Sequence, residues 1–378
     1  MNHLSNPFSY KALLSLGAFF ILTATCFSQG EAPRTLSVKN AFSPLTEIAV
    51  YLDVRGAEES GFAKKAEAEL PQIMEGIDDA TEEMGEFTEV TGIALEDIAE
   101  LSISLTGTES LFESMQNGED PDFGPNGSVL GVARLDKPMD VRKMVNSILN
   151  KVREEEGPEA QRMILSSIIQ FRGATIFVMP PEMVQEADVP FPIAIGVRAI
   201  GKDAFLAVGK ERDVKGFFAG GKQKPGAAPF APQVRKGLPA DSQMWMSMAV
   251  PEAILQEAVQ ELRQNPMLAG FATVIVKMRE VGVSLQMKND SMGVNLAAGF
   301  DDTKSATQMW QLSQGLLAMA KLAASGEGAE MPAFITKLTS VVKGKATVFA
   351  TEITIDDLEM MAGASGGDFD GGDPAAED

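Results

Sequence analysis

An alternating pattern over residues 281–300 constrains the fold of this chain more than any other feature. Two runs in which apolar residues alternate with small or polar ones flank a short turn, Asn289-Asp290-Ser291. A period of two places one set of side chains on each face of a strand, and the polar turn predicts an antiparallel hairpin. The apolar set comprises Val281, Val283, Leu285, Met287, Met292, Val294, Leu296, Ala298 and Phe300.

An amphipathic helix is predicted directly after this hairpin. Asp301 or Asp302 stands where an N-cap is expected, since a carboxylate there accepts hydrogen bonds from free backbone N–H groups. Apolar residues then follow near helical spacing, at Ala306, Met309, Trp310, Leu317 and Ala320. We therefore expect the apolar face of the hairpin to be buried under the helix.

The same order of elements is predicted twice along the chain. Strands at 48–54, 99–106 and 128–135 precede a helix capped by Asp136, and the order strand, long helix, strand, strand and capped helix returns after residue 241. An offset of 165 residues pairs Asp136 with Asp301 (301 − 136). We interpret this order as a divergent internal duplication, with chance similarity as the alternative.

Each predicted half resembles the ferredoxin-like βαββαβ arrangement in its element order, and this resemblance implies no function. The predicted fold is therefore α+β, with antiparallel sheets, helices on one face, and two similar halves. The expected divisions are a signal peptide at 1–28, a leader at 29–44, a first half at 45–219, a Gly/Pro-rich linker at 220–241, a second half at 242–362, and a disordered acidic Gly-rich tail at 363–378.

The N-terminus predicts export. Lys11 precedes an apolar run over residues 12–24, which is short for a membrane span, and small residues follow, so cleavage near Ser28 is expected. An uncleaved anchor or a buried helix is the alternative. Cys26 also suggests a lipoprotein. A lipidation signal favours Gly, Ala or Ser directly before the Cys, where this chain has Thr25, and Leu three residues before it, where this chain has Thr23. Lipidation is therefore the less favoured interpretation. The mature chain has no predicted transmembrane segment.

Histidine and cysteine each occur once, as His3 and Cys26, and both lie in the predicted signal peptide. A mature chain without them forms no intrachain disulfide, no Ser-His-Asp triad, no Cys-His dyad and no His/Cys zinc site. We expect no cofactor and no enzymatic activity. A carboxylate-based hydrolase is the alternative, because paired acids such as Asp78-Asp79 and Asp356-Asp357 support glycoside hydrolysis without histidine.

The formal charge of −21 opposes binding to nucleic acid and to anionic lipid, because a strongly acidic chain repels phosphate groups.

Three motif-like stretches give only weak indications of a site. Residues 216–222 have the spacing of a phosphate-binding loop but lack its hydroxyl, and Ser340 and Lys343 have a nucleophile–base spacing without the partner motifs. Residues 368–373 resemble a calcium loop without its later Glu.

The small-residue face of the second half is the candidate partner surface. Gly within a strand often marks close approach by another backbone or a ligand, and Trp245 offers an anchor. The candidate residues are Trp245, Ser247, Ser284, Gln286, Asn295 and Ala297. Packing between the two halves and simple solvation are the alternatives.

Together these features predict a non-enzymatic extracytoplasmic binding or structural protein, periplasmic or secreted. Its ligand and its partner are unknown, and a protein or an envelope component is the expected kind of partner. A lipid-tethered envelope component is a further alternative.

Overall fold

The computed structural model describes residues 36–42, 46–69, 88, 91–116, 127–186, 191–220, 231–266, 268–326, 333–358 and 360. The predicted signal peptide, the acidic tail and the calcium-like motif at 368–373 lie outside the described residues. So do Asp78 and Asp79, and residues 221–230 of the predicted linker.

One antiparallel sheet of twelve strands runs through the described chain. The strands are β1 (Ile48–Asp53), β2 (Ile98–Thr106), β3 (Ser128–Leu135), β4 (Ile168–Phe171), β5 (Ala174–Val178), β6 (Ile193–Ile200), β7 (Asp203–Lys210), β8 (Met244–Ala249), β9 (Met278–Met287), β10 (Ser291–Phe300), β11 (Thr339–Lys343) and β12 (Ala346–Thr354). The predicted mixture of helices and antiparallel strands is confirmed, and so is the hairpin, as β9 and β10.

The α-helices lie between these strands. They are α1 (Val54–Glu58), α2 (Gly61–Glu69), α3 (Thr108–Gln116), α4 (Val141–Glu155), α5 (Gly157–Ser166), α6 (Pro181–Glu186), α7 (Glu211–Phe218), α8 (Pro232–Gly237), α9 (Glu252–Gln264), α10 (Ala269–Ile275), α11 (Thr303–Gly326) and α12 (Ala333–Thr336). Short 3-10 turns occupy Val38–Asn40 and Leu95–Asp97.

The strand order is β11-β12-β10-β9-β8-β1-β2-β3-β7-β6-β5-β4. The two predicted halves therefore meet edge to edge, because β8 pairs with β1 in register from Met244↔Leu52 to Met248↔Ile48. Read outward from this seam, the second half runs β8-β9-β10-β12-β11, and the first half runs β1-β2-β3-β7-β6 before it continues into β5 and β4.

The ferredoxin-like arrangement is not confirmed. In a split βαβ unit the two strands joined by a helix run parallel with another strand between them. Here β1 and β2 are neighbours and antiparallel, and so are β8 and β9. The reason is that the connection after β1 returns to the end of the sheet from which it left, since Asp53 pairs with Glu100 near the start of β2.

Helices cover both faces of the sheet, whereas one face was predicted. One face carries Ser102, Ser104, Ser247 and Ser284 and is called the serine face below. Helix α7, the segment 36–42 and helix α8 pack on it. On the opposite face, α4 and α5 cover the first half, and α10 and α11 cover the far end of the second half. Sequence alternation alone could not identify this double cover, because α8 lies in a segment that reads as a linker.

The N-cap of α4 differs from the predicted residue, and the N-cap of α11 is one of the two predicted residues. Asp140, not Asp136, caps α4, since its carboxylate accepts from the N–H groups of Arg142 and Lys143. Asp136 lies four residues earlier, in the turn after β3. In the second half, Asp302 accepts from the N–H of Ser305, 2.7 Å away, in the first turn of α11.

Residues 231–241 differ from a free linker. They contain helix α8, and its Val234 and the following Leu238 are buried against Ala297 and Val348 of the sheet. Pro232 begins this helix at a position where a missing N–H costs little, which a composition-based linker prediction does not reveal.

Candidate functional site at the centre of the sheet

The six residues predicted as a partner surface lie together on the serine face. Trp245 lies beside Ser284, which lies beside Asn295, across three neighbouring strands. Gln286 follows Ser284 on the same face of β9. Ser247 and Ala297 lie in the next row, separated by Gly282. The alternation in the sequence therefore grouped these side chains correctly.

Five of the six side chains are buried by the chain itself. Trp245 is 4% exposed, Ser247 and Ser284 are fully buried, and Asn295 and Ala297 are buried as well. Gln286 is half-buried and donates to the Asp241 carboxylate over 2.6 Å. The face of the candidate partner surface is therefore closed by α8 and the segment 36–42, and not by packing of the two halves on each other, since the halves meet edge to edge.

Two glycines let α8 approach the sheet closely. A Cβ atom at Gly282 would lie 2.3 Å from Cγ1 of Val234, and one at Gly299 would lie 3.3 Å from its Cγ2. Glu280 holds the start of the helix, since its Oε2 accepts from the N–H groups of Gln233 (3.0 Å) and Val234 (3.1 Å). A carboxylate is favourable there because helix N-termini carry unpaired N–H groups.

Trp245 is the centre of an aromatic and cationic cluster. The guanidinium carbon of Arg235 lies 3.4 Å from its ring centroid, and Tyr51 stacks beside it with centroids 5.9 Å apart. Phe42 meets Trp245 edge-on at 5.4 Å. Burial lowers the pKa of Arg235 to about 10, so the side chain stays protonated at neutral pH. Burial disfavours the charged form of Tyr51 as well, so it raises the pKa of Tyr51 and keeps the phenol neutral.

Several buried polar atoms near this cluster have no hydrogen-bond partner among the described residues. They are Trp245 Nε1 and the hydroxyl oxygens of Ser102, Ser247 and Ser284. Such atoms are uncommon in folded proteins, because a buried donor or acceptor without a partner loses its hydrogen bonds to water. The serine face is therefore polar yet closed.

The opposite face of the same central strands carries an unbroken apolar surface, called the apolar floor below. It consists of three rows of five side chains, one from each of β2, β1, β8, β9 and β10. The rows are Leu101, Leu52, Met244, Leu285 and Val294; Ile103, Val50, Met246, Val283 and Leu296; and Leu105, Ile48, Met248, Val281 and Ala298.

None of these floor side chains is fully buried. Leu296 is 51% exposed and Ile103 is 36% exposed. The floor is about 19 Å across, given four strand spacings of ~4.8 Å. It lies between the α4–α5 layer on one side and the α10–α11 layer on the other. We predicted this face to be covered by α11, and that holds for Phe300 but not for Leu296.

The motif-like stretches do not form sites in the described chain. Ser340 and Lys343 lie three residues apart in β11, so they point to opposite faces. Ser340 Oγ accepts from Gln314 Nε2, and Lys343 donates to the carbonyl of Gly237. Gly216 lies within α7, so a helix precedes the glycine-rich stretch instead of the strand that a phosphate loop needs.

Two of the described acidic residues from the paired carboxylates, Asp97 and Asp357, are engaged in local structure. Asp97 pairs with Lys137 and accepts from the N–H of Ala94. Asp357 accepts from the N–H and hydroxyl of Thr354. Within the described ranges, no three or more His, Cys, Asp or Glu side chains cluster so as to hold a metal ion. No described helix is both long and apolar enough to cross a membrane.

Comparisons with known proteins give weak likenesses only. No protein-family model matches the chain. No curated protein matches it. Among solved structures, crystal form I of TP0453 is 8% identical over 88% of this chain and 99% of that chain, with a TM-score of 0.37. Crystal form IV is 9% identical over 87% and 97%, with a TM-score of 0.34.

Proposed function

We propose that the chain is a non-enzymatic extracytoplasmic binding protein that holds an apolar surface of a protein or envelope partner against the apolar floor. The observation that carries this proposal is the floor itself, with fifteen apolar side chains in three rows of five, of which Leu296 and Ile103 are exposed and the other thirteen are partly buried. Contiguous apolar surfaces of this extent on soluble proteins are typical of interaction sites. Fully burying an exposed side chain of this size contributes ~1.5–3 kcal/mol, and covering a side chain that is already partly buried contributes proportionally less.

The composition of the floor favours binding over catalysis. The floor contains no ionisable side chain, and strand β8 contributes three methionines to it, Met244, Met246 and Met248. Methionine is flexible and polarisable, so it adapts to partners of different shapes. The carboxylate-based hydrolase remains the second candidate, although Asp97 and Asp357 are already bound by neighbouring groups.

A charge placed on the floor tests this function. We expect the wild-type chain to enhance the fluorescence of anilinonaphthalene sulfonate, and Leu296→Lys to reduce that enhancement without changing the urea midpoint. Val341→Lys is the matched control. The exposed fraction of Val341, 48%, is close to that of Leu296, but Val341 lies on β11 and on the other face of the sheet. A wild-type chain that binds no dye and is destabilised by Leu296→Lys would show that the chain closes its own floor.

Export is the second part of the proposal and depends on the N-terminal sequence. Lys11 and the short apolar run support a cleaved signal peptide, so the exported protein begins near Gln29. N-terminal sequencing decides this point, since residues 1–20 in the exported protein would contradict it. A lipid-tethered form would instead retain Cys26 and show an added mass of acyl chains.

We also infer that the two halves arose by duplication. The order outward from the β1–β8 seam supports this inference, since β1-β2-β3-β7-β6 corresponds to β8-β9-β10-β12-β11. A matching backbone contact supports it too. The N–H of Asp136 donates to the backbone carbonyl of Asp97 just before β2. In the same way, the N–H of Asp301 donates to the backbone carbonyl of Lys277 just before β9. Superposition of the two sets of five strands tests it, because chance similarity would not align Asp136 with Asp301.

A further inference from the structure

We propose that residues 231–240 form a strap that lifts off the serine face while the sheet stays folded. The strap contains α8. Its Arg235 stacks on the buried Trp245, and its Val234 lies over Gly282, which pairs with the buried Ser247 and is two residues from the buried Ser284. This proposal concerns the face opposite the apolar floor and does not depend on the binding function assigned to that floor.

The hydrogen bonds that attach the strap to distant parts of the chain come from side chains. Glu280 accepts from two N–H groups of α8, Lys343 donates to the carbonyl of Gly237 (2.9 Å), and Lys39 donates to the carbonyl of Ala240 (3.0 Å). The strap's own backbone hydrogen bonds are internal, from Arg235 to Ala231 and from Leu238 to Val234. Such an element separates from a sheet without breaking a strand ladder.

The closed strap leaves polar atoms unsatisfied beneath it. Trp245 Nε1, Ser247 Oγ and Ser284 Oγ are buried without a hydrogen-bond partner among the described residues. Lifting the strap lets all three bond to water or to a ligand, which offsets part of the apolar contact that is lost. That contact is a small cluster of Ala231, Val234 and Leu238 on two residues of the sheet, and the stacking of Arg235 on Trp245 is lost with it.

The backbone at the start of the strap is strained, which also favours opening. Ala231 adopts a left-handed conformation, with φ 45° and ψ 48°. This conformation disfavours residues that carry a Cβ atom and persists only where surrounding contacts impose it. Opening would release Ala231 from this conformation and expose Arg235 together with the ring of Trp245.

Amide hydrogen exchange measured by mass spectrometry on the full chain tests the strap. We expect the amides of residues 233–238 to exchange at least tenfold faster than those of β9 and β10, through an opening that urea barely promotes. Exchange of the strap at the rate of β9 and β10, with the urea dependence of global unfolding, would overturn the proposal.

A pair of glycine variants gives the directional test. Gly282→Ala places a Cβ atom 2.3 Å from Val234, so it should accelerate exchange in the strap at least tenfold while β3 and β7 are unchanged. Gly293→Ala is the matched control on the same face, because its nearest neighbour would lie at an ordinary 3.6 Å. Equal strap exchange in the two folded variants would count against the proposal.

A disulfide provides a second test that does not depend on the glycine variants. A Cβ atom at Gly237 would lie 3.9 Å from that of Ala297, a separation typical of disulfides, and 2.9 Å from Cγ2 of Val348, which has to shift to make room. In a chain carrying Cys26→Ser, Gly237→Cys with Ala297→Cys should slow strap exchange to the rate of β9 when oxidised, and dithiothreitol should restore it. A formed disulfide without slower exchange would contradict the strap.

Discussion

Arg134 is a partly buried cation held between two carboxylates. Its guanidinium lies 3.2 Å from Glu100 and 3.4 Å from Asp203, and these side chains are 24–28% exposed. Burial opposes the charge of Arg134, but the hydrogen bond that Arg134 donates to Glu100 and the nearby carboxylates outweigh it and raise the pKa of Arg134. This side chain therefore connects β2, β3 and β7 across the serine face.

We expect Arg134→Met to lower the free energy of unfolding by about 1–3 kcal/mol, because it leaves two acidic groups near each other without a cation. Urea unfolding at neutral pH measures the change. Arg162→Met is the control, since Arg162 is 73% exposed and its 3.9 Å contact with Glu159 lies on the surface. An effect at Arg134 no larger than at Arg162 would mean that the three-strand connection contributes nothing.

The lowered pKa of Asp357, at the end of β12, predicts that the stability of the fold depends on pH. The N–H of Thr354 is the main cause of its lowered pKa, and the hydroxyl of Thr354 and Lys337 act in the same direction against desolvation. A carboxylate whose pKa is lower in the folded state stabilises the fold above the unfolded value, about 3.9, and loses this effect as pH falls through the folded value.

We therefore expect Asp357→Asn to destabilise the chain at pH 7 and to differ less from wild type below about pH 4. Urea midpoints between pH 7 and pH 3 for both proteins test this expectation. A difference that stays constant over this range would show that the charge of Asp357 is not the cause.

At the scale of single elements, the position of the cap decides where α4 begins. Asp140→Ala removes the acceptor for two N–H groups and should cost ~1 kcal/mol of stability. Asp136→Ala is the matched comparison, because the carboxylate of Asp136 makes a distant contact with Lys202, at 3.9 Å, and its loss should change stability by less than about 0.5 kcal/mol. Equal losses from both variants, measured by thermal and urea unfolding, would restore Asp136 as the cap.

At the scale of the whole molecule, the β1–β8 seam makes one sheet from two predicted halves. Five residue pairs join these strands, and Tyr51 stacks on Trp245 across the seam. Separation of the halves would expose a full strand edge on each side, together with this aromatic contact, and such edges promote aggregation.

We expect the full chain to unfold in one calorimetric transition, and residues 29–230 and 231–378, expressed separately, to lack cooperative unfolding of their own. Their co-expression should restore the transition if the seam provides the missing stability. Two independent transitions, one from each separate half, would instead support two autonomous domains.

Much of the local structure was predictable because period-two alternation is a property of the strand backbone itself. It located Val281–Phe300 as a hairpin and assigned Trp245, Ser284 and Asn295 to one face before any partner was known. Alternation cannot tell which face is covered, because cover depends on elements distant in the chain. Hence Ser284 is buried although it reads as outward, and Leu296 is half-exposed although it reads as inward.

The sequence by itself determined most of the strands, though not β11, together with the β9–β10 hairpin and the grouping of residues on each face, since these follow from local propensity and period. Only the tertiary structure decided the strand order, the seam between β1 and β8, and the seating of Val234 over Gly282. These features arise from contacts between residues far apart in the chain, where packing and closure outweigh local preference. That is why a segment rich in Gly and Pro, which locally reads as a linker, becomes the cover of the serine face.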